Sequence, residues 1–408
     1  MYRIARFTVS IPWDGRRSLV MRWVASSFSG WGVYGLNLAL ALARSPAFVL
    51  FAGERFAMSD IVLDPLRTIS VSELARRSAP LWDLLDRAGS ADVFIDAPTL
   101  LPMSHDLRSA GDGDTESVTD QPSIGVVFME HATLDAAARA RGNRLPLIVA
   151  GSSWNASVLR AQGVERVATV LQGVDTGQFH PAPRAGLFPG RFIVFSGGKL
   201  EYRKGQDMVL AAFRVFRQRH PEALLLTAWH SPWGELSATA SGLSGITQPT
   251  RGAGGAPDAV AWAVANGIPA DAAIDLGPVP NIAMPHVLRE ADVAIFTNRA
   301  EGGTNLVAME CMACGIPTIL SANTGHLDLL AGDGVAAPLR RQTQPVRDGV
   351  DTADWGESDV EEAVEALEKV WRDRTEAAAM GARGARFMAG LCWRTQVDAL
   401  LRAIEPVL

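Results

Sequence analysis

An apolar run over residues 291–296, interrupted only by Asp292, leads into a glycine-bearing turn, an apolar helical stretch and a second strand pattern at Thr318, Ile319 and Leu320. Strand, turn, helix and strand in that order form the unit from which helix-covered parallel sheets are built. The connecting string, residues 301–317, is Glu-Gly-Gly-Thr-Asn-Leu-Val-Ala-Met-Glu-Cys-Met-Ala-Cys-Gly-Ile-Pro. Leu306, Met309 and Ala313 recur at helical spacing, Gly315 suits a helix end, and Pro317 opens the next strand. A strand that enters a helix through such a turn offers phosphate a set of backbone N–H groups and the positive helix end.

A second stretch has the same design. The apolar run 192–195 is followed by Ser196, Gly197, Gly198, Lys199, Leu200, Glu201, Tyr202, Arg203, Lys204, Gly205, Gln206 and Asp207. A helical pattern then runs through Met208, Leu210, Ala211, Phe213 and Val215. The chain has 38 basic residues, of which only Lys199, Lys204 and Lys369 are lysine. Two of these three lie in this one turn, where a compact, flexible point charge differs from the planar fork of arginine.

These two segments resemble the donor site of retaining glycosyltransferases with the GT-B fold, particularly glycosyltransferase family 4. The family pattern is a glutamate, a small-residue turn, a second glutamate, then Ala-Met-Ala-X-Gly-X-Pro, and residues 310–317 match its second half. Seven residues usually separate the glutamates, whereas eight separate Glu301 from Glu310. In strict register the first glutamate falls on Gly302, and a one-residue bulge at Gly302, Gly303 and Thr304 returns Glu301 to the site. Lys199 and Lys204 occupy the basic positions of the family's Gly-Arg-Leu…Lys-Gly pattern. The resemblance implies that Glu310 accepts hydrogen bonds from the nucleotide ribose and that Glu301 binds donor-sugar hydroxyls. It assigns the diphosphate to Lys199, Lys204, Gly198 and the turn of Gly303, Thr304, Asn305, Leu306 and Val307. Residues 276–281, including Val279, are the expected base-binding region. His131, after a buried strand, corresponds to a family histidine beside the reacting sugar. Residues 27–35, including Gly32, correspond to the glycine-rich loop after the first strand, either contacting donor or acceptor or simply closing a tight turn.

The fold implied is α/β: two Rossmann-like domains facing a central cleft, with a C-terminal helix crossing back to the N-terminal domain. The expected divisions are 1–182 for acceptor binding, 190–385 for the nucleotide-sugar and 386–408 for the returning helix. Pro181, Pro183, Gly186, Pro189 and Gly190 mark the linker. Strand candidates in the first domain are residues 4–9, 48–52, 93–95, 124–128, 147–150 and 167–171, and 104–122 reads as a polar loop. The length of 408 residues requires more than one core.

A hydrophobic content of 48% with 20% charged residues describes a globular chain, and a net charge of −6 argues against nucleic acid as the main partner. Cys311, Cys314 and Cys392 cannot build a disulfide framework or a zinc site, so reduced thiols in a cytoplasmic protein are expected. No apolar stretch is long enough for a transmembrane helix. Arg3, Arg6, Arg16, Arg17 and Arg22 give the N-terminus a basic character, which leaves peripheral contact at the inner membrane face open beside an ordinary solvated surface. No metal or cofactor is expected, because lysines and a helix end stand where a metal would, and Asp112-Gly113-Asp114 lies in the polar loop. The expected activity is retaining transfer of a sugar from a UDP- or GDP-sugar to a glycan, glycolipid or small-molecule acceptor. The alternatives are an inactive GT-B sugar- or nucleotide-binding protein, or an epimerase or phosphorylase of that fold. Donor base, sugar, acceptor and oligomeric state are not encoded in any motif.

Overall fold

The computed structural model describes residues 7–9, 15–88, 93–109, 122–231, 234–252 and 255–408. The expectations for Arg3, Arg6, the aspartates of 112–114 and most of the polar loop lie outside the described residues. The chain divides into two compact units. The first comprises 1–129, 133–173 and 393–408, and the second 130–132 and 174–392.

The first unit is built on a six-stranded parallel sheet in the order Phe48–Ala52, Arg17–Met21, Thr99–Met103, Ser123–Val127, Leu147–Ala150, Val167–Thr169. Two of these strands carry no clear sequence signal. Arg17–Met21 opens with charge, and its buried part is only Leu19, Val20 and Met21, too short to show a period. Thr99–Met103 contains Pro102, which ordinarily argues against an interior strand. Its pairing with Arg17–Met21 stops at Leu100, so the missing N–H of Pro102 costs no ladder bond on that side. Phe7–Val9, the described part of the expected first strand, pairs instead with Val93–Ile95 in a separate two-stranded ribbon. The C-terminal helix Trp393–Ile404 packs on the helix Gly30–Leu42, with Tyr34 and Trp393 edge to face at 5.4 Å.

The second unit carries a six-stranded parallel sheet in the order Ala273–Asp275, Ala223–Ala228, Phe192–Gly197, Val293–Phe296, Thr318–Ser321, Ala337–Leu339. The central strands are buried on both faces, as helices on both sides require. The helix Gln206–Arg219 buries Met208, Val209, Leu210, Phe213 and Phe216, and packs against Val360–Arg372. Each fully buried Phe or Leu side chain of this kind contributes about 1.5–3 kcal/mol.

The unit boundaries fall at 173/174 and 392/393 rather than at 182 and 386. The proline-rich segment is tied down, because the buried carboxylate of Glu290 accepts from the backbone N–H groups of Ala185, Gly186 and Leu187 at 2.7–3.0 Å. The helix Arg374–Ala389 stays with the second unit through its contact with Leu306–Ala313. No helix among the described residues is long and apolar enough to cross a membrane.

Candidate active site

The strand Phe192–Gly197 ends in a turn that only glycine permits. Gly198 has φ +125°, and a Cβ on Gly197 would lie 2.9 Å from Cγ1 of Val307, so this turn presses on the start of the helix Leu306–Ala313. Gly205 has φ +67°, and a Cβ there would fall 2.2 Å from the carbonyl oxygen of Thr297. Between the two glycines, Leu200 is fully buried and Tyr202–Lys204 forms a single 3-10 turn. Lys199, Arg203 and Lys204 are thereby fixed on one short loop at the C-terminal end of a central strand, where open α/β sheets bind ligands.

These three cations meet three carboxylates. Lys199 Nζ lies 2.8 Å from Glu201 Oε2, and Lys204 Nζ pairs with Glu301 Oε1. The Arg203 guanidinium reaches Glu201 Oε1, Glu130 Oε1 at 2.6 Å and Glu301 Oε2 at 3.0 Å. Glu301 also accepts from the amide of Asn298 and is nearly buried. Burial alone would push its carboxyl up, but Lys204 and Arg203 hold it at about 2. Lys199 is the more open lysine, its side chain 29% exposed against 13% for Lys204. The turn rests on a second, wholly buried pair. Arg299 forks onto Asp207 at 3.1 and 2.7 Å, and its backbone N–H and guanidinium donate to the carbonyl oxygens of Arg203 and Tyr202.

Despite the eight-residue spacing, Glu301 sits on Lys204. Its backbone N–H donates to Thr324 Oγ1 and its carbonyl accepts from Gly325, whose missing Cβ leaves room for the carbonyl of Gly303. Asn305 then adopts φ +62° as N-cap of the helix Leu306–Ala313, its side chain accepting from Ala308. Its amide donates to His326 Nε2, while His326 Nδ1 faces the carbonyl of Ser321. Burial lowers this imidazole to about 4, so it is neutral, and the Ser321 carbonyl fixes the proton on Nδ1. Gly303 and Thr304 are buried and Val307 half-buried.

Glu310, four residues into the helix, is buried and accepts from Asn281 Nδ2 at 2.5 Å. Burial raises its carboxyl to about 8, against the pull of that hydrogen bond. Val279, half-buried, lies two residues before Asn281 in the segment after the strand Ala273–Asp275. The second unit thus carries Gly198, Lys199, Lys204, Glu301, Gly303, Thr304, Asn305, Leu306 and Val307 on these two turns and the helix start, and Glu310 on the same helix is tied to the segment of Val279 through Asn281.

His131 stacks on Trp355 at 6.1 Å, with Nδ1 3.1 Å from the carbonyl oxygen of Asp351. Trp355 in turn donates to the Glu130 carbonyl. Gly32 belongs to the first unit, where a Cβ would lie 2.5 Å from Cβ of Ser26 and where its N–H is capped by Ser29. Asn155 is an anchor, its amide exchanging two hydrogen bonds with the backbone of Met129. Sequence reasoning passed over Arg203, Glu130, Glu201, Asn298 and Asn281 as partners. Arg203 and Glu201 were visible inside the lysine-bearing turn, whereas Glu130 and Asn298 reach it only through the fold. Among the described residues no cluster of three or more His, Cys, Asp or Glu is arranged to hold a metal ion.

Two parallel-sheet units of this kind, joined by a helix that returns to the first, define the GT-B fold. Sucrose-phosphate synthase from Thermosynechococcus elongatus aligns over 96% of this chain and 99% of its own, with a TM-score of 0.65 at 16% identity. Anabaena Alr3699/HepE, in complex with UDP and glucose, aligns over 96% of this chain and 100% of its own, with a TM-score of 0.61 at 14% identity. In sequence, the chain is similar to family 4 glycosyltransferases over part of its length. The model for family 4 glycosyltransferases in conflict systems matches residues 282–400. The D-inositol 3-phosphate glycosyltransferase of Segniliparus rotundus is 26% identical over 250 residues, covering 60% of this chain and 48% of that protein. That of Thermobifida fusca is 29% identical over 260 residues, covering 60% and 50%. The chain spans about half the length of the curated relatives it matches.

Proposed function

We propose that the protein is a retaining glycosyltransferase that moves a sugar from a nucleotide diphosphate-sugar to a hydroxyl of an acceptor without a metal ion. The observation that carries this reading is the convergence of Lys199, Lys204 and the N-terminus of the helix Leu306–Ala313 beside the paired Glu301. The donor C1–O bond breaks with its electron pair going to the diphosphate, leaving an oxocarbenium-like sugar. The acceptor oxygen bonds to C1 on the same face, and its proton passes to the departing phosphate oxygen. Negative charge therefore grows on the diphosphate in the transition state, where fixed cations and backbone N–H groups stabilise it most. Lys199 is the first cation open to that charge. Lys204 is shared with Glu301, which takes a hydroxyl of the sugar, and Glu310 accepts from the ribose. His131 lies beside the reacting sugar in this reading. Gly32 lines the acceptor side, and peripheral membrane contact of the first unit belongs to the same reading. Complexes with UDP among the structural relatives make UDP-sugars the first donors to try.

A thermal-shift screen with UDP, GDP and ADP, with and without magnesium, on the native protein and Lys204→Ala tests the site. Stabilisation by one nucleotide without magnesium, weakened in the variant, supports it. No shift at millimolar concentrations of any of the three refutes it.

A further inference from the structure

The Arg203 side chain is more than a structural cation. It is buried, and its carboxylate partners come from three separate segments: Glu130 after the strand Ser123–Val127, Glu201 in its own turn and Glu301 after the strand Val293–Phe296. Its two terminal nitrogens are committed to these carboxylates and to the carbonyl of Ala300 at 2.8 Å, while Nε is buried without an acceptor. The guanidinium thus ties carboxylates from three separate segments into one geometry.

The acceptor capacity of Glu301 shows what is gained. An ionised carboxylate has about four lone-pair sites, two on each oxygen. Lys204 and Asn298 both donate to Oε1, and Arg203 donates to Oε2. Three sites are filled, and the fourth lies on Oε2, beside Arg203. Rotation of the carboxylate would break bonds to two cations at once, so the vacant site is held in one direction. We propose that Arg203 is a positioning residue that fixes Glu301 to receive one donor-sugar hydroxyl, through Oε2. This rests on the donor-site reading above and adds to it the residue that sets the geometry and the number of hydroxyls read.

Lysine in place of Arg203 keeps the charge but lacks the planar fork that can bridge Glu301, Glu201 and Glu130. Two measurements on Arg203→Lys and Arg203→Gln test the proposal. The first needs no ligand: glutamate carboxyl carbon NMR, with Glu301 assigned through Glu301→Gln. The groups facing Glu301 are Lys204, Arg203 and the neutral His326, with Glu201 and Glu130 behind the guanidinium. The Glu301 signal should titrate at least about one pH unit higher in Arg203→Gln than in the native protein, and an unmoved titration overturns the proposal. The second compares UDP with UDP-glucose by calorimetry. Arg203→Lys should keep UDP affinity while losing the advantage of UDP-glucose over UDP about 10- to 100-fold, the scale of one hydrogen bond to a charged group. Equal weakening of both ligands, or of neither, overturns it. Failure of the native protein to bind either ligand counts against the donor-site reading alone, and the carboxyl titration still decides the role of Arg203. If Arg203→Gln does not fold, the comparison of UDP with UDP-glucose on Arg203→Lys decides the proposal.

Discussion

If Glu310 meets the ribose as proposed, donor binding is pH-dependent in a direction that can be worked from its surroundings. Its carboxyl is held at about 8 by burial, so it is largely protonated at neutral pH in the free protein. Ribose hydroxyls donate hydrogen bonds, which a carboxylate accepts better than a neutral acid. Binding therefore draws the proton off, and affinity rises as pH rises toward the free value. With a free value of about 8 and a bound value below 6, the ionised fraction grows from ~1% at pH 6 to ~50% at pH 8, an affinity gain of about 50-fold. UDP-glucose is the suitable ligand, because its diphosphate, esterified at both ends, does not titrate in this range as the terminal phosphate of UDP does. Calorimetry from pH 6 to 8 in two buffers of different ionisation enthalpy should show this gain together with release of up to about one proton on binding at the lower pH. Glu310→Gln should bind more weakly at pH 8 and lose the slope. Native affinity that is flat or falls from pH 6 to 8 would refute the reasoning, by showing that Glu310 is already ionised or does not meet the ribose.

Two further outcomes follow from the ion pairs. Glu301 is held at about 2, below the ordinary value near 4.5, so it adds stability that is present above pH 4.5 and lost as pH falls through about 2. The shift corresponds to about 3 kcal/mol, so the native protein's advantage over Glu301→Gln in urea unfolding should shrink by that order between pH 5 and pH 2.5, and a constant difference would contradict it. Asp207→Asn breaks the buried fork with Arg299, whose partners are both fully buried, and weakens the acceptors for the N–H groups of Gly242 and Leu243. It should cost about 3–5 kcal/mol, read as a large drop in the unfolding midpoint of the second unit, and a change under 1 kcal/mol would show that the pair contributes little.

The second unit was the more legible because its sequence signals are local. A glycine-rich turn between a buried strand and a helix must expose backbone N–H groups, and two rare lysines in such a turn stand out from an arginine-rich background. The first unit was less legible. Arg17–Met21 and Thr99–Met103 became strands because neighbours on both sides complete their ladders, not because their own residues insist on it. The unit boundaries escaped for a similar reason, since Pro and Gly mark where a chain can bend but not which core holds it. In the structure, Glu290 holds the bend.

What the sequence determined by itself was the α/β order of elements, the two glycine-bearing turns after buried strands, and the placing of Lys199, Lys204, Glu301 and Glu310 in or beside them. All of these depend on residues within a few positions of one another, where glycine conformation and helix spacing decide the outcome. Only the tertiary structure decided that the eight-residue spacing still sets Glu301 on Lys204, that Arg203 gathers Glu130, Glu201 and Glu301, and that burial raises the carboxyl of Glu310. Those properties depend on charges brought together from distant segments and on the water removed around them. Desolvation and ion pairing act through space, so no local pattern in the chain can carry them.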